Sequence, residues 1–257
     1  MKENIEYIVL IVGAGGTGGN FAKEFARYMS TFFKKKTGIR AVLIDGDIVE
    51  KKNLSRQPFV DEDAEQNKAL VLSEAIQDTF ALQMEEWMSW PHYIESSEQL
   101  EQIFESMKGE DKKTEYIPVL VGCVDNHRAR QCMHEFFCFS KTCIYIDSAN
   151  EFSVGEVVCG IRAKGKTIAP DRTYYYPEIL IDQSPSAAET SCGTINISAP
   201  QHIATNLMAA NLTLSMLVDI ISNNNLPGGI IYFNREKFFS RFRSYEEMRK
   251  GENTHEL

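Results

Sequence analysis

Positive charge is in short supply in this 257-residue chain, where 27 Lys and Arg face 36 Asp and Glu for a formal net charge of −9. Nucleic-acid phosphates and anionic membrane faces both demand local positive charge, so neither is expected as a partner. The run Lys34-Lys35-Lys36 reads as a solvated helix end rather than a binding patch. With 16 glycines and 8 prolines, collagen-like and low-complexity chains are excluded as well. No hydrophobic run reads as a membrane span. Tyr7–Val12 is far too short, and Ile203–Ile221 carries Asn206, Asn211 and Asp219, as a buried helix would. No secretory leader is visible. The six cysteines (Cys123, Cys132, Cys138, Cys143, Cys159 and Cys192) make neither a CxxC pair nor a zinc-type spacing. Reduced thiols in a cytoplasmic protein are the expectation.

What the chain does have is alternation. Ile8–Val12 is an unbroken β-favouring run that ends at a glycine cluster, as a strand buried on both faces would. Helical spacing follows in Phe21, Phe25, Met29 and Phe32, and a second strand, Ala41–Ile44, stops at Asp45. A helix is predicted from about Lys68 to Trp87 on the stripe Leu72, Ile76 and Phe80. Val119–Val121 and Ile144–Ile146 give further buried-type strands that end near Asp125 and Asp147. This order predicts an α/β fold with a doubly wound, mostly parallel, Rossmann-like sheet and right-handed crossovers.

The second half is less regular. Gly155–Ile161 and Gly229–Phe233 read as strands, the stretch from Lys164 to Pro200 as a long crossover loop, and Ile203–Ile221 as a helix. Met208, Leu212 and Met216 make that helix apolar on several faces, which predicts deep burial or a subunit interface. A single domain is expected over 1–257, with a nucleotide-binding half at 1–150 and an acceptor-binding and dimerisation half at 151–257.

Gly13-Ala14-Gly15-Gly16-Thr17-Gly18 satisfies G-x-G-x-x-G between a strand and a helix. Glycines there let the backbone approach phosphate, and the helix start offers free N–H groups and a positive dipole end. Asp45, closing the second strand, can accept hydrogen bonds from ribose hydroxyls. Beyond it come Asp47, Asn53, Arg56 and Gln57, a set that a nicotinamide site does not need and a triphosphate site does. An arginine fork can clamp phosphate oxygens and offset charge that builds up at phosphorus. A cation at Lys68, on a helix start, is unfavourable unless an anion joins it. Asp125, at the carboxyl edge of the sheet, offers a hard oxygen suited to Mg²⁺.

These residues carry a resemblance. GAGGTG at 13–18, Asp45, Asp47, Asn53-Leu54-Ser55-Arg56-Gln57, Lys68 and Asp125 follow the order and spacing of the ThiF/MoeB family, whose fold the ubiquitin-activating enzymes share. Tyr176-Pro177-Glu178 and Ser191-Cys192-Gly193 look most similar to the ThiF-type proteins of plasmid-borne PRTRC systems. The resemblance implies ATP and Mg²⁺ as cofactors and adenylation of the C-terminal carboxylate of a small ubiquitin-like acceptor protein. It implies nucleotide contacts from Gly13, Gly15, Gly16, Thr17, Gly18, Asp45, Asp47, Asn53, Arg56, Gln57 and Lys68. Arg56, Lys68 and Asp125 would be catalytic, with Asp125 on the metal.

Two family features are missing from the sequence. No paired CxxC motif is present, so packing, including a homodimer interface, is expected to supply the stability a structural zinc gives elsewhere. Only six residues precede the apolar strip that begins at Tyr7, so an N-terminal arginine reaching the partner's ATP site would have to come from elsewhere. Cys192, in a loop of small polar residues ahead of a helix, is a candidate nucleophile for a later transfer step. His127 reads as structural, and His92, His134, His202 and His255 show no triad-like pattern with any serine or cysteine. The glycine loop and Asp45 alone would also fit an NAD(P)- or FAD-dependent oxidoreductase. A non-catalytic nucleotide-binding scaffold is the third reading.

Overall fold

The computed structural model describes residues 4–32, 38–185, 188 and 201–252. The lysine run at 34–36 and Cys192 with its loop lie outside the described residues.

Nine strands form one sheet in the order β3-β2-β1-β4-β5-β6-β8-β9, with β7 paired to β6. Strands β1 (Asn4–Val12), β2 (Gly38–Ile44), β3 (Trp87–Trp90), β4 (Thr114–Gly122) and β5 (Cys143–Asn150) run parallel. From β5 onward the pairing turns antiparallel through β6 (Val154–Ala163), β7 (Lys166–Ala169), β8 (Gly229–Asn234) and β9 (Phe239–Ser244). The mostly parallel, Rossmann-like sheet expected from the alternation is present, and its irregular C-terminal portion is an antiparallel extension. Strand β9 is the outer edge of that extension and is exposed along most of its length.

The period-two alternation of β1 explains why both faces are covered. Val9 and Ile11 point into one cluster with Phe21 and Phe25 of helix α1 (Gly16–Phe32), Leu72 and Ile76 of α2 (Lys68–Phe80) and Leu217 and Ile220 of α7 (Ile203–Asn223). Ile8, Leu10 and Val12 point into the other cluster with Leu100 and Ile103 of α3 (Ser97–Ser106) and Met133 and Phe137 of α4 (His127–Phe139). Both faces of the central strands are dry, so an unbroken apolar run is what the strand requires. Helix α7 is long and apolar enough to span a membrane by length and composition. Here it packs against the sheet, its buried face including Thr205, Asn206 and Thr213, as a core helix.

Three expectations need correction. The helix starting at Lys68 ends at Phe80 rather than Trp87, because Ala81 turns left-handed (φ 52°) and stops it. Trp87 instead opens β3, fully buried, its indole N–H donating to Ser73 Oγ at 3.1 Å. The stretch after Lys164 is not loop throughout: it holds β7 and the one-turn helices α5 (Arg172–Tyr175) and α6 (Glu178–Ile181). A last strand, β9, and helix α8 (Tyr245–Glu252) also went unpredicted.

Candidate functional site

The registers of β1 with β2 and β4 align three strand ends: Val12 lies opposite both Ile44 and Gly122. Gly13, Asp45 and Cys123 follow those residues, so three loops leave the sheet side by side at its carboxyl edge. Strand order reverses between β2 and β4 at β1, which makes this crevice the topological switch point where open α/β sheets bind ligands.

Gly13 has φ +100°, and a Cβ on it would stand 2.6 Å from the Cys123 carbonyl oxygen, so only glycine fits the turn. Its N–H donates to Ile44 O at 2.8 Å. The Ala14 N–H donates to Asp45 Oδ2 at 2.6 Å and the Asp47 N–H to Asp45 Oδ1 at 2.8 Å. Asp45 therefore stitches the glycine loop to the end of β2, and each carboxylate oxygen keeps a second lone pair for an incoming hydroxyl. Burial raises the Asp45 carboxyl above the ordinary range; Lys68 pulls against that rise and Asp47 adds to it. Gly15, Gly16, Thr17 and Gly18 form the loop and first turn of α1, where first-turn N–H groups have no intrahelical acceptor.

The next segment holds the cations. Asn53, buried, closes a 3₁₀ turn by accepting the Glu50 N–H on Oδ1 at 3.1 Å, so its oxygen shapes the loop and its amide N–H groups are the donors a phosphate could use. Arg56 and Gln57 then donate their backbone N–H groups to Asn53 O at 3.0 and 2.9 Å. The Arg56 side chain is half-buried, and no hydrogen bond or ion pair engages it among the described residues.

Lys68 departs from expectation. It is 6% exposed, and its Nζ sits 2.9 Å from Asp47 Oδ2. The charge conflict at the start of α2 is already relieved by Asp47. The Tyr93 hydroxyl donates to the other Asp47 oxygen. Burial alone would raise the Asp47 carboxyl, but the Lys68 charge and the Tyr93 hydrogen bond outweigh it and hold the carboxyl below its ordinary value. Asn67 caps α2 by accepting the Leu70 N–H at 3.1 Å, and its amide donates to the carbonyls of Asp45 and Asp47 at 3.0 and 3.1 Å. A cavity of about 390 Å³ lined by Gly46, Pro91, His92, Tyr93, Glu95 and Gln99 opens beside this pair.

Asp125 is exposed in the turn between β4 and α4, ahead of the N-cap Asn126. Its loop is braced from below by charges the sequence did not disclose. Arg130, 6% exposed, donates to Val124 O at 2.6 Å and to Asp147 Oδ2 at 3.2 Å. Asp147, 1% exposed, also accepts the Tyr145 hydroxyl at 2.7 Å. Arg172 lies 3.2 Å from Asp147 through Nε, out of line for a hydrogen bond, and pairs through Nη1 with Glu156. Two arginines thus balance two carboxylates in a dry layer.

The histidine expectation is revised too. His134 Nδ1 is 2.7 Å from Asp171 Oδ2, and its Nε2 is 3.5 Å from Cys138 Sγ, a turn further along α4. Burial, then the Asp171 charge, push the Cys138 thiol up, which makes it a poor nucleophile. The Asp171 hydrogen bond raises the His134 pKa above its ordinary 6.5 despite burial. Stability gained from this pair is fully present below pH 6.5 and fades as pH rises through the raised folded value. The melting-temperature advantage of wild type over His134→Gln should accordingly be largest below pH 6.5 and shrink at higher pH. A gap that widens with pH would refute the assignment.

Of the predicted residues, the structure brings Gly13–Gly18, Asp45, Asp47, Arg56, Gln57, Lys68 and Asp125 to one sheet edge. Tyr93, Asn67 and Asn150 were missed. Only the Asn67 cap had a sequence signal, an Asn directly ahead of a helix.

No curated protein matches the chain. Among solved structures, PaaA is 19% identical with a TM-score of 0.59, over 95% of this chain and 64% of its own. MccB from E. coli is 18% identical with a TM-score of 0.60, over 93% of this chain and 62% of its own. MccB has also been solved with ATP, a match at 17% identity and TM-score 0.58 over 93% of this chain and 62% of that one. The chain thus spans somewhat under two thirds of the length of these structures, and at this identity the likeness shows the fold. The ThiF family profile matches residues 4–255, nearly the whole sequence, and the chain belongs to the ThiF family.

Proposed function

We propose that this protein is an adenylyltransferase that uses ATP to activate the C-terminal carboxylate of a small acceptor protein, ubiquitin-like in the finer reading. One observation carries this: the half-buried Arg56, with no protein partner among the described residues, stands beside the glycine loop at the sheet edge where Asp125 is exposed. A guanidinium carried on backbone that packs against the glycine loop, near helix N–H groups, fits a polyphosphate. ThiF membership and the ATP-bound MccB support the nucleotide, and MccB structures holding MccA support a small partner.

In this reading Asp45 receives the ribose hydroxyls, and the cavity at Gly46 and Tyr93 takes the base. The α1 start and Arg56 hold the phosphates, with Lys68 one residue beyond the cap at Asn67. The acceptor carboxylate oxygen bonds to the α-phosphorus, the bond from that phosphorus to the bridging oxygen breaks, and pyrophosphate leaves with the electron pair. Catalysis is positioning plus charge stabilisation. Mg²⁺ fits the donor set: Asp125 is an exposed hard carboxylate, and one carboxylate with phosphate oxygens suffices for that ion. Bound there, it would neutralise phosphate charge. The partly exposed apolar residues Ile203 and Leu207 of α7 form part of a proposed homodimer face, and light scattering that returns a monomer at micromolar concentration would remove that part.

ATP–pyrophosphate exchange tests the reading. Wild type should exchange label, and Asp125→Ala should lose it. Cys192→Ala should keep exchange and lose any dithiothreitol-sensitive adduct with the acceptor, since a thioester needs a thiolate and adenylation does not. Stabilisation by NAD or FAD but not ATP would overturn the proposal. An adduct that survives Cys192→Ala would move the nucleophile elsewhere.

A further inference from the structure

Asn206, on α7, is fully buried, and its amide nitrogen has no hydrogen-bond partner among the described residues. Its orientation is not arbitrary. Thr17 Oγ1 in the glycine loop donates to Asn150 Oδ1 at 2.9 Å, and Asn150 Nδ2 donates to Asn206 Oδ1 at 2.8 Å. With its oxygen taken by Asn150, the Asn206 amide has Nδ2 as its outward end. That end points at Gly16. A Cβ on Gly16 would stand 2.0 Å from Asn206 Nδ2 and 3.1 Å from the Arg56 carbonyl oxygen, which places donor and carbonyl within about 5 Å of each other. A side chain at residue 16 would clash with the Asn206 amide; glycine lets the amide pack against the loop beside that carbonyl.

A second unmet group lies on the same segment as Arg56: Gln57 Oε1 is buried without a partner. Unpaired buried polar atoms are uncommon and costly, so a donor on α7 and an acceptor on the Arg56–Gln57 segment call for an explanation. We propose that Asn206 is a positioning residue for the phosphate-binding segment. When nucleotide fills the glycine loop, the Arg56–Gln57 backbone moves onto Asn206 Nδ2, which then holds the Arg56 carbonyl and so aims the guanidinium at the phosphates. Through Asn150, the same chain ties that closure to Thr17 and the end of β5. The inference rests on the nucleotide reading above and adds to it the element that registers closure, helix α7.

Asn206→Asp is the discriminating variant. It keeps an oxygen to accept from Asn150 and replaces the outward donor with an acceptor facing a carbonyl. Its affinity for ATP, by calorimetry, should fall about tenfold or more, the scale of one lost buried hydrogen bond. Its affinity for adenosine, which needs Asp45 and no phosphate grip, should stay at the wild-type value. Combined with Arg56→Ala it should add no further loss of ATP affinity, because the group it positions is gone. Asn206→Ser serves if the aspartate variant fails to fold, with the same pattern expected. Equal ATP affinity in wild type and variant, or losses that multiply in the double variant, would overturn the assignment while leaving the nucleotide reading intact. Wild type that binds no ATP would overturn both.

Discussion

Replacing Arg56 by alanine is expected to lower ATP–pyrophosphate exchange by roughly 10²–10³-fold while leaving the melting temperature unchanged, the usual size of losing one preorganised transition-state contact. The stability half of that expectation comes from the absence of any partner to its guanidinium among the described residues, so truncation breaks no native bond. Lys68→Ala should lower exchange as far but also lower stability, because Asp47 then loses the charge 2.9 Å away that keeps its carboxyl low. The pair of variants separates two cations that look alike in the sequence. Among the described residues one has no partner, and the other is paired with Asp47. Exchange near the wild-type rate in both would sink adenylation at this site.

The largest stability loss is expected from Arg172→Met, about 3–5 kcal/mol in chemical denaturation, typical of removing one partner from a buried ion pair. Asp147 and Glu156 would be left with Arg130 as the remaining cation of the cluster, in a layer where Asp147 is 1% exposed. The same substitution should loosen the Asp125 turn, since Arg130 holds both Asp147 and the Val124 carbonyl. A loss under about 1 kcal/mol would mean that the cluster is well solvated once opened.

The parts of this molecule that could be read from its residues are those written locally. The apolar run of β1, the glycine turn and Asp45 are contiguous, and each is demanded by backbone physics at its own position: burial on both faces, a positive φ, a strand end. Trp87 was misread because helix α2 stops without glycine or proline; Ala81 takes the left-handed conformation that those signals usually mark. The Arg130–Asp147–Arg172–Glu156 cluster was invisible for another reason. Its members are scattered along the chain and meet only after β5 and β6 pair, and no spacing rule links them. Asn53 and Lys68 could be singled out from sequence, but which oxygen or charge each engages is a matter of tertiary contact.

The central register has a kinetic consequence. β1 joins β4 through Asn4 opposite Thr114, residues 110 apart, whereas β5 and β6 close through a short turn at Glu151. Pairing remote segments costs chain entropy before any contact rewards it, so the β5–β6 hairpin is expected to assemble before the β1–β4 seam. The crevice proposed for the nucleotide sits on that seam. Partly folded chains would carry that hairpin without the crevice, so ligand capture during refolding would score completion of the whole parallel half rather than the health of one loop.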